Sequence, residues 1–353
     1  MASSSDVCAM TIMDGARMSS LRRLSDSWAA PLSVAVLADR NSDEVSWSHR
    51  SEEAVVVALA GFRRRELLRA TLVENTGFDC PPRFPFNLLR NVALSRCTER
   101  RVLVVDVDFV PHPADEALPQ RLSALSLAPN EALVLPAFEP TARWVAGHAA
   151  GLPAVMSKID LRALVSSGGM VSFGDPSGTR DAWRAGHLCT KSGRWLNHSK
   201  SHEVQHCHPY YEPYLMVPRA TIPPFDESFN GRGFDKVSFV YELFARNFTL
   251  RTAPEAFVVH LPHAPSTAPT CAKSLVEEAA RSMGARSEEE VGALSYNPGE
   301  ACVGQFVQRM ETSLGYAPEA GGHADWRKHV HGRRWRCNTQ YSVSHPPRSI
   351  ILS

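Results

Sequence analysis

The chain has 353 residues, 44% of them hydrophobic, enough for a sizeable buried core. Its 38 Lys and Arg residues stand against 37 Asp and Glu, which excludes a generally basic nucleic-acid binder and an acidic disordered chain alike. The 25 prolines and 21 glycines are dispersed, not periodic, which removes collagen-like and low-complexity classes.

Residues 1–30 are rich in Ser, Met and Arg without clean periodicity and are expected to form a loose leader. A β-branched run at 32–37 predicts a strand closed by Ala38 and Asp39. A helix is predicted over 51–68, opened by Ser51, Glu52 and Glu53, and a short buried one over 87–95. Residues 101–105 and 132–135 are almost continuously apolar, the pattern of strands covered on both faces of a largely parallel sheet. The polar stretch 168–208 predicts a long functional loop. Strands follow at 214–217 and 256–259, with a helix over 237–246 between them. These elements predict one α/β domain over 31–268, a mixed, mostly parallel sheet flanked by helices. A C-terminal helix at 272–283 and an irregular tail are expected within 269–353.

No stretch approaches the ~18 apolar residues of a membrane span, and residues 1–18 lack the apolar core of a signal peptide. The eight cysteines form no C-x-x-C pair. That permits disulfides and argues against a zinc ribbon or a thioredoxin-like site. Two sequons, Asn197-His198-Ser199 and Asn247-Phe248-Thr249, would accept N-glycans in a secretory compartment.

The chemistry concentrates at strand ends. Asp106 and Asp108 close the run 101–105, where paired carboxylates are costly unless a cation neutralises them. A divalent ion with oxygen ligands meets that need and would hold a diphosphate; the plainer alternative is a turn cap beside a solvated acid. His260 and His263 follow the strand 256–259, and one imidazole there completes an Asp/Asp/His set suited to Mn²⁺. The alternative for either ring is a bond to a neighbouring loop. His202, His206, Cys207 and His208 cluster in sequence but lack the second pair that a zinc site needs. Arg90 lies one helical turn from Asn87 and next to Asn91, a set able to bind phosphate and ribose or base edges. Asp235, after a Gly-interrupted loop, and Glu212, ahead of a strand, are the candidate general bases.

Taken in order, several strings resemble glycosyltransferase family 49, the LARGE-type and β-1,4-glucuronyltransferase-like family. They are Phe84-Pro85-Phe86-Asn87-Leu88-Leu89-Arg90-Asn91, Val104-Val105-Asp106-Val107-Asp108-Phe109, Val134-Leu135-Pro136-Ala137-Phe138-Glu139, Glu212-Pro213-Tyr214, the stretch from Phe229 to Lys236, and Phe257-Val258-Val259-His260-Leu261-Pro262-His263. The resemblance runs from Leu32 to Ser266. It implies a single GT-A-like nucleotide-sugar-binding domain, a UDP-sugar donor, Mn²⁺ or Mg²⁺, inversion at the anomeric carbon, and a glycan or glycoprotein acceptor. Glucuronic acid is the sugar it suggests, and the Golgi the compartment. By the same resemblance Asp106 and Asp108 match the DxD motif, His260 the metal-binding histidine, and Arg90 and Asn91 the donor-side pair, with Asn87 and Asp106 beside the donor. Asp235 departs from the pattern, standing where Asn is common, so Glu212 stays beside it as base. The runner-up is a non-catalytic nucleotide- or carbohydrate-binding protein of the same fold. A metal-dependent nucleotidyltransferase is disfavoured because residues 37–40 hold no Gly-rich phosphate loop.

Overall fold

The computed structural model describes residues 5–38, 52–74, 84–147, 155–174, 186–208, 210–229, 234–263, 306, 308–310, 312–314 and 348–349. Its strands are β1 (Val7–Asp14), β2 (Leu32–Ala38), β3 (Leu68–Glu74), β4 (Arg101–Val104), β5 (Phe109–His112), β6 (Glu131–Leu135) and β7 (Ala137–Pro140). Then come β8 (Met170–Ser172), β9 (Glu203–Val204), β10 (Tyr214–Pro218), β11 (Thr249–Thr252), β12 (Phe257–His260) and β13 (Arg348–Ser349). Among the described residues, nine form one sheet in the order β13-β3-β2-β1-β4-β10-β6-β11-β9. Strands β3, β2, β1, β4, β6 and β11 run one way, with β10 reversed between β4 and β6. That is the mixed, mostly parallel sheet expected, and it is consistent with the GT-A-like domain that the resemblance implies.

Strand periodicity divides the core in two. Val34, Val36 and Leu103 face a layer with Leu21, Leu24 and Trp28 from the helix Met18–Ser27 and its end, and with Val55 and Leu59 from the helix Glu52–Ala60. Ala35, Leu37, Val102 and Val104 face the other, with Leu89 and Ala93 from the helix Phe86–Ser95. Phe239, Val240 and Leu243 from the helix Asp235–Ala245 complete that side.

Several expectations change here. The stretch read as a loose leader supplies β1, which pairs in parallel with both β2 and β4 near the centre of the sheet. Its Cys, Ala and Met residues are weak strand formers, so pairing and burial decide its conformation. The helix expected over 51–68 stops at Ala60, and Leu68–Glu74 is β3, paired in parallel with β2. The stretch 168–208 contains β8, β9 and the helix Ser192–Asn197. Phe306 and Met310 pack with Phe229 and Tyr241, and β13 pairs with β3, so the folded unit extends beyond 31–268 at both ends. The helix expected over 272–283 lies outside the described residues. Disulfides join Cys8 to Cys97 and Cys189 to Cys207. No described helix is long and apolar enough to cross a membrane.

A second sheet, β5-β12-β7-β8, sets the site. Strand β12 pairs antiparallel with β5, placing His260 opposite Phe109, and parallel with β7. The residues just after β4 are thereby held against the end of β12.

Candidate metal and carboxylate site

The turn from β4 into β5 is tied at both ends. Val105 N–H donates to the Met10 carbonyl at 3.1 Å, and Phe109 N–H donates to the Asp106 carbonyl at 3.0 Å. Leu261 N–H then donates to the Asp108 carbonyl at 2.8 Å, joining the end of β12 to the same turn. Asp108 Oδ2 consequently lies 2.8 Å from His263 Nε2 and 3.7 Å from His260 Nε2. The two imidazole Nε2 atoms are 3.2 Å apart. One ligand atom from each of these three residues lies within 4.8 Å of the other two.

The His260 ring is fixed on several sides. It packs 4.8 Å from the Phe109 ring and 5.3 Å from the Phe173 ring, while its Nδ1 lies 3.7 Å from Glu139 Oε2. A carboxylate behind the second ring nitrogen is the arrangement that orients metal-binding imidazoles. Burial disfavours a charge on His260, yet the nearby Asp108 and Glu139 carboxylates win and raise its pKa to about 9. Burial likewise opposes ionisation of Asp108, and the two imidazoles beside it hold it well below the usual carboxylate range. One carboxylate and two imidazoles fit Mn²⁺ better than Mg²⁺, which prefers an all-oxygen octahedron.

Asp106 stands apart from that group. Its Oδ2 accepts from Lys236 Nζ at 2.6 Å and from the Tyr214 hydroxyl at 3.2 Å. Lys236 Nζ lies 3.8 Å from Glu212 Oε2 and 5.0 Å from the centre of the Tyr214 ring. Burial pushes the Glu212 carboxyl up, Lys236 pulls it down, Asp235 and Asp106 push it up again, and it settles at about 7. Lys236 is the second residue of the helix Asp235–Ala245, which starts directly after Phe234, whose backbone is left-handed at φ 60. A buried aromatic held there is the kind of backbone outlier found at functional sites.

The remaining candidates form a third group. Arg90 Nη1 donates to Asp235 Oδ2 at 2.7 Å and to Asn87 Oδ1 at 2.8 Å, all three side chains being buried. Asn87 Nδ2 donates to the carbonyls of Asp226 and Asp235 at 2.8 and 3.1 Å. Asn91 donates to the Phe225 carbonyl at 2.9 Å and accepts from Phe225 N–H at 2.8 Å. These polar atoms pin Phe225, Asp226 and Asp235 onto the helix Phe86–Ser95. Loop residues 230–233 lie outside the described residues.

The structure brings Asp108 and His260 together with His263 and leaves Asp106, expected in the same metal set, outside the group. It puts Asp106 with Glu212 around Lys236, and Asp235 with Arg90. His263 was weighed beside His260 as the one imidazole of the set, and the structure brings in both; Glu139 and Lys236 were not among the candidates. The spacing His260-x-x-His263 was the signal for the two imidazoles, whereas Glu139 and Lys236 gain their place only through pairing and the Phe234 turn. The His202–His208 cluster is not a metal site: Cys207 is in a disulfide, His206 stacks 4.8 Å from Phe244, and His202 Nε2 bonds the Thr190 carbonyl at 3.0 Å.

Known proteins resemble this sequence over most of its length. The chain is 33% identical over 266 residues to the xylosyl- and glucuronyltransferase LARGE2 of Homo sapiens, covering 74% of this chain and 33% of that protein. It is 28% identical over 298 residues to the xylosyl- and glucuronyltransferase LARGE1 of Mus musculus, covering 81% and 36%. The chain thus spans about a third of the length of the relatives it matches. Among solved structures, GalNAc-T7 with UDP, GalNAc and Mn²⁺ aligns at TM-score 0.40 and 9% identity, over 75% of this chain and 45% of that one. S. aureus TarS 1-349 aligns at 0.37 and 12%, over 87% and 72%. Residues 75–264, over half of the chain, match the family described as "Glycosyl-transferase for dystroglycan", and the chain belongs to that family, glycosyltransferase family 49.

Proposed function

We propose that this chain is a metal-dependent, inverting glycosyltransferase that moves a sugar from a UDP-sugar to a hydroxyl of a glycan or glycoprotein. The convergence of Asp108, His260 and His263 carries the reading, since that donor set suits Mn²⁺. When bound, the cation supplies Lewis-acid neutralisation of the negative charge gathering on the UDP leaving group. Asp108 and the two imidazoles would hold it, and Glu139 would orient the His260 ring. Lys236 keeps Asp106 and Glu212 beside one half-buried ammonium. Glu212, with its carboxyl near neutrality, accepts the proton of the attacking acceptor hydroxyl. Asp235, already bonded to Arg90, acts by positioning Lys236. The relatives are named for xylose and glucuronic acid transfer, and UDP-glucuronic acid is the donor we infer. The two disulfides agree with an oxidising, Golgi-type lumen.

Calorimetric titration of UDP into the full chain, with Mn²⁺ and with EDTA, tests this for wild type, Asp108→Ala and His263→Ala. The expected result is binding that needs Mn²⁺ and falls at least about tenfold in each variant. Equal binding in EDTA, or none from a sample with a cooperative unfolding transition, moves the reading to a non-catalytic protein of the same fold.

A further inference from the structure

We propose that Asn197 and Asn247 are N-glycan attachment sites. The proposal rests on the secretory placement of the chain and not on its transfer reaction. Both asparagines stand in Asn-x-Ser/Thr sequons. Asn197 and Ser199 are exposed, as are Asn247 and Thr249, whereas Phe248 between the latter pair is buried. The acceptor amide and the hydroxyl that the modifying enzyme reads therefore face solvent at each site, and the apolar middle residue anchors the second.

The surroundings suit a lumenal history. The Cys189–Cys207 disulfide spans Asn197 in sequence. Such bonds form and persist in oxidising compartments, where sequon asparagines are also modified. Neither side chain is needed inside the fold. Asn247 ends the helix Asp235–Ala245 in the left-handed conformation at φ 59, and its structural work is done by the backbone. Its N–H donates to the Phe244 carbonyl at 2.9 Å, and its own carbonyl accepts from Asn130 Nδ2 at 3.2 Å. Thr249 pairs with Glu131 at the start of β6, the edge opposite the carboxyl end of β4 that leads to Asp106 and Asp108. A glycan at Asn247 is thus carried away from the metal and carboxylate site.

The chemistry balances without any redox partner. The co-reactant is an oligosaccharide carried on a lipid diphosphate. A bond forms between Asn Nδ2 and the anomeric carbon, the bond from that carbon to the diphosphate oxygen breaks, and the lipid diphosphate leaves. One Nδ2 proton goes to a base of the modifying enzyme, and one remains. At Asn197 the remaining N–H can keep donating to the Gly193 carbonyl, a bond of 3.1 Å in this structure.

The test uses the full-length protein isolated from its native cells. Peptide N-glycosidase treatment in heavy-oxygen water, followed by mass spectrometry, should read Asn197 and Asn247 as labelled aspartate. Asn197→Gln and Asn247→Gln should each raise gel mobility by one glycan step, and Asn247→Gln should leave Mn²⁺-dependent UDP binding unchanged. Unlabelled asparagine at both positions, with the Cys189–Cys207 disulfide intact, overturns the sites while the lumenal placement stands. Unlabelled asparagine with Cys189 and Cys207 as thiols overturns both. Labelling at one position alone removes the other from the proposal. The UDP titration is independent of all of these outcomes, so failure of the transferase reading is separately visible.

Discussion

Glu212 and Asp235 were equal candidates for the general base, and their partners now separate them. The Glu212 carboxyl sits near neutrality beside Lys236, whereas Asp235 is locked to Arg90 in a buried pair. Glu212→Gln should lower kcat by about 10²–10⁴-fold while keeping Mn²⁺-dependent UDP binding. Asp235→Asn should instead lose about 3–5 kcal/mol of stability, because the Arg90 charge is left buried without its counter-ion. Urea unfolding beside steady-state kinetics tells the two apart. A stable, inactive Asp235→Asn with an active Glu212→Gln would reverse the assignment. At this scale the sequence was legible where titratable residues stand at the ends of apolar strands, as Asp106 and Asp108 do between β4 and β5 and His260 does at the end of β12. It was not legible where side chains far apart in sequence decide a role. The bonds from Lys236 to Asp106 and from Arg90 to Asp235 span 130 and 145 residues.

Elements with strong β-branched runs, such as β2, β4, β10 and β12, could be read almost to the residue, because burial on both faces leaves a nearly continuous apolar string. Strand β1 could not. Its Cys8, Ala9 and Met10 carry little strand propensity, and the Ser and Arg residues of the following helix mask Met18, Leu21 and Leu24, which it buries. Strand β3 was hidden for another reason: its Leu68 and Ala70 extend the helical pattern of the preceding stretch past Gly61. The position of β1 between β2 and β4 yields a sharp expectation. Removing residues 1–30 should abolish cooperative folding, since it strips the pairing partner from two central strands and half of the Cys8–Cys97 disulfide. Circular dichroism and dye binding on the truncated chain check this. A native-like melting transition would mean that β1 is dispensable.

For the molecule as a whole, the imidazoles of buried His112 and half-buried His206 should set the response to acid. His112 is stacked on Phe257 and His206 on Phe244, and the Nδ1 of each has no hydrogen-bond partner among the described residues. Burial lowers the pKa of both to about 4. The unfolded chain, with histidines near about 6.5, takes up protons first on acidification. Stability from these rings is therefore complete above about pH 6.5 and declines as pH falls toward 4, by about 2 kcal/mol each at pH 5. His260 acts in the opposite sense: its raised pKa adds stability that is full below about 6.5 and is lost as pH rises through about 9. A wild-type profile alone would mix these terms. Comparing wild type with the double variant His112→Phe, His206→Phe isolates these two rings, because His260 is common to both. Urea midpoints at pH 7.5 and 5 should converge toward one value in the variant and separate in the wild type. An equally steep acid loss in the variant would mean that neither ring governs it.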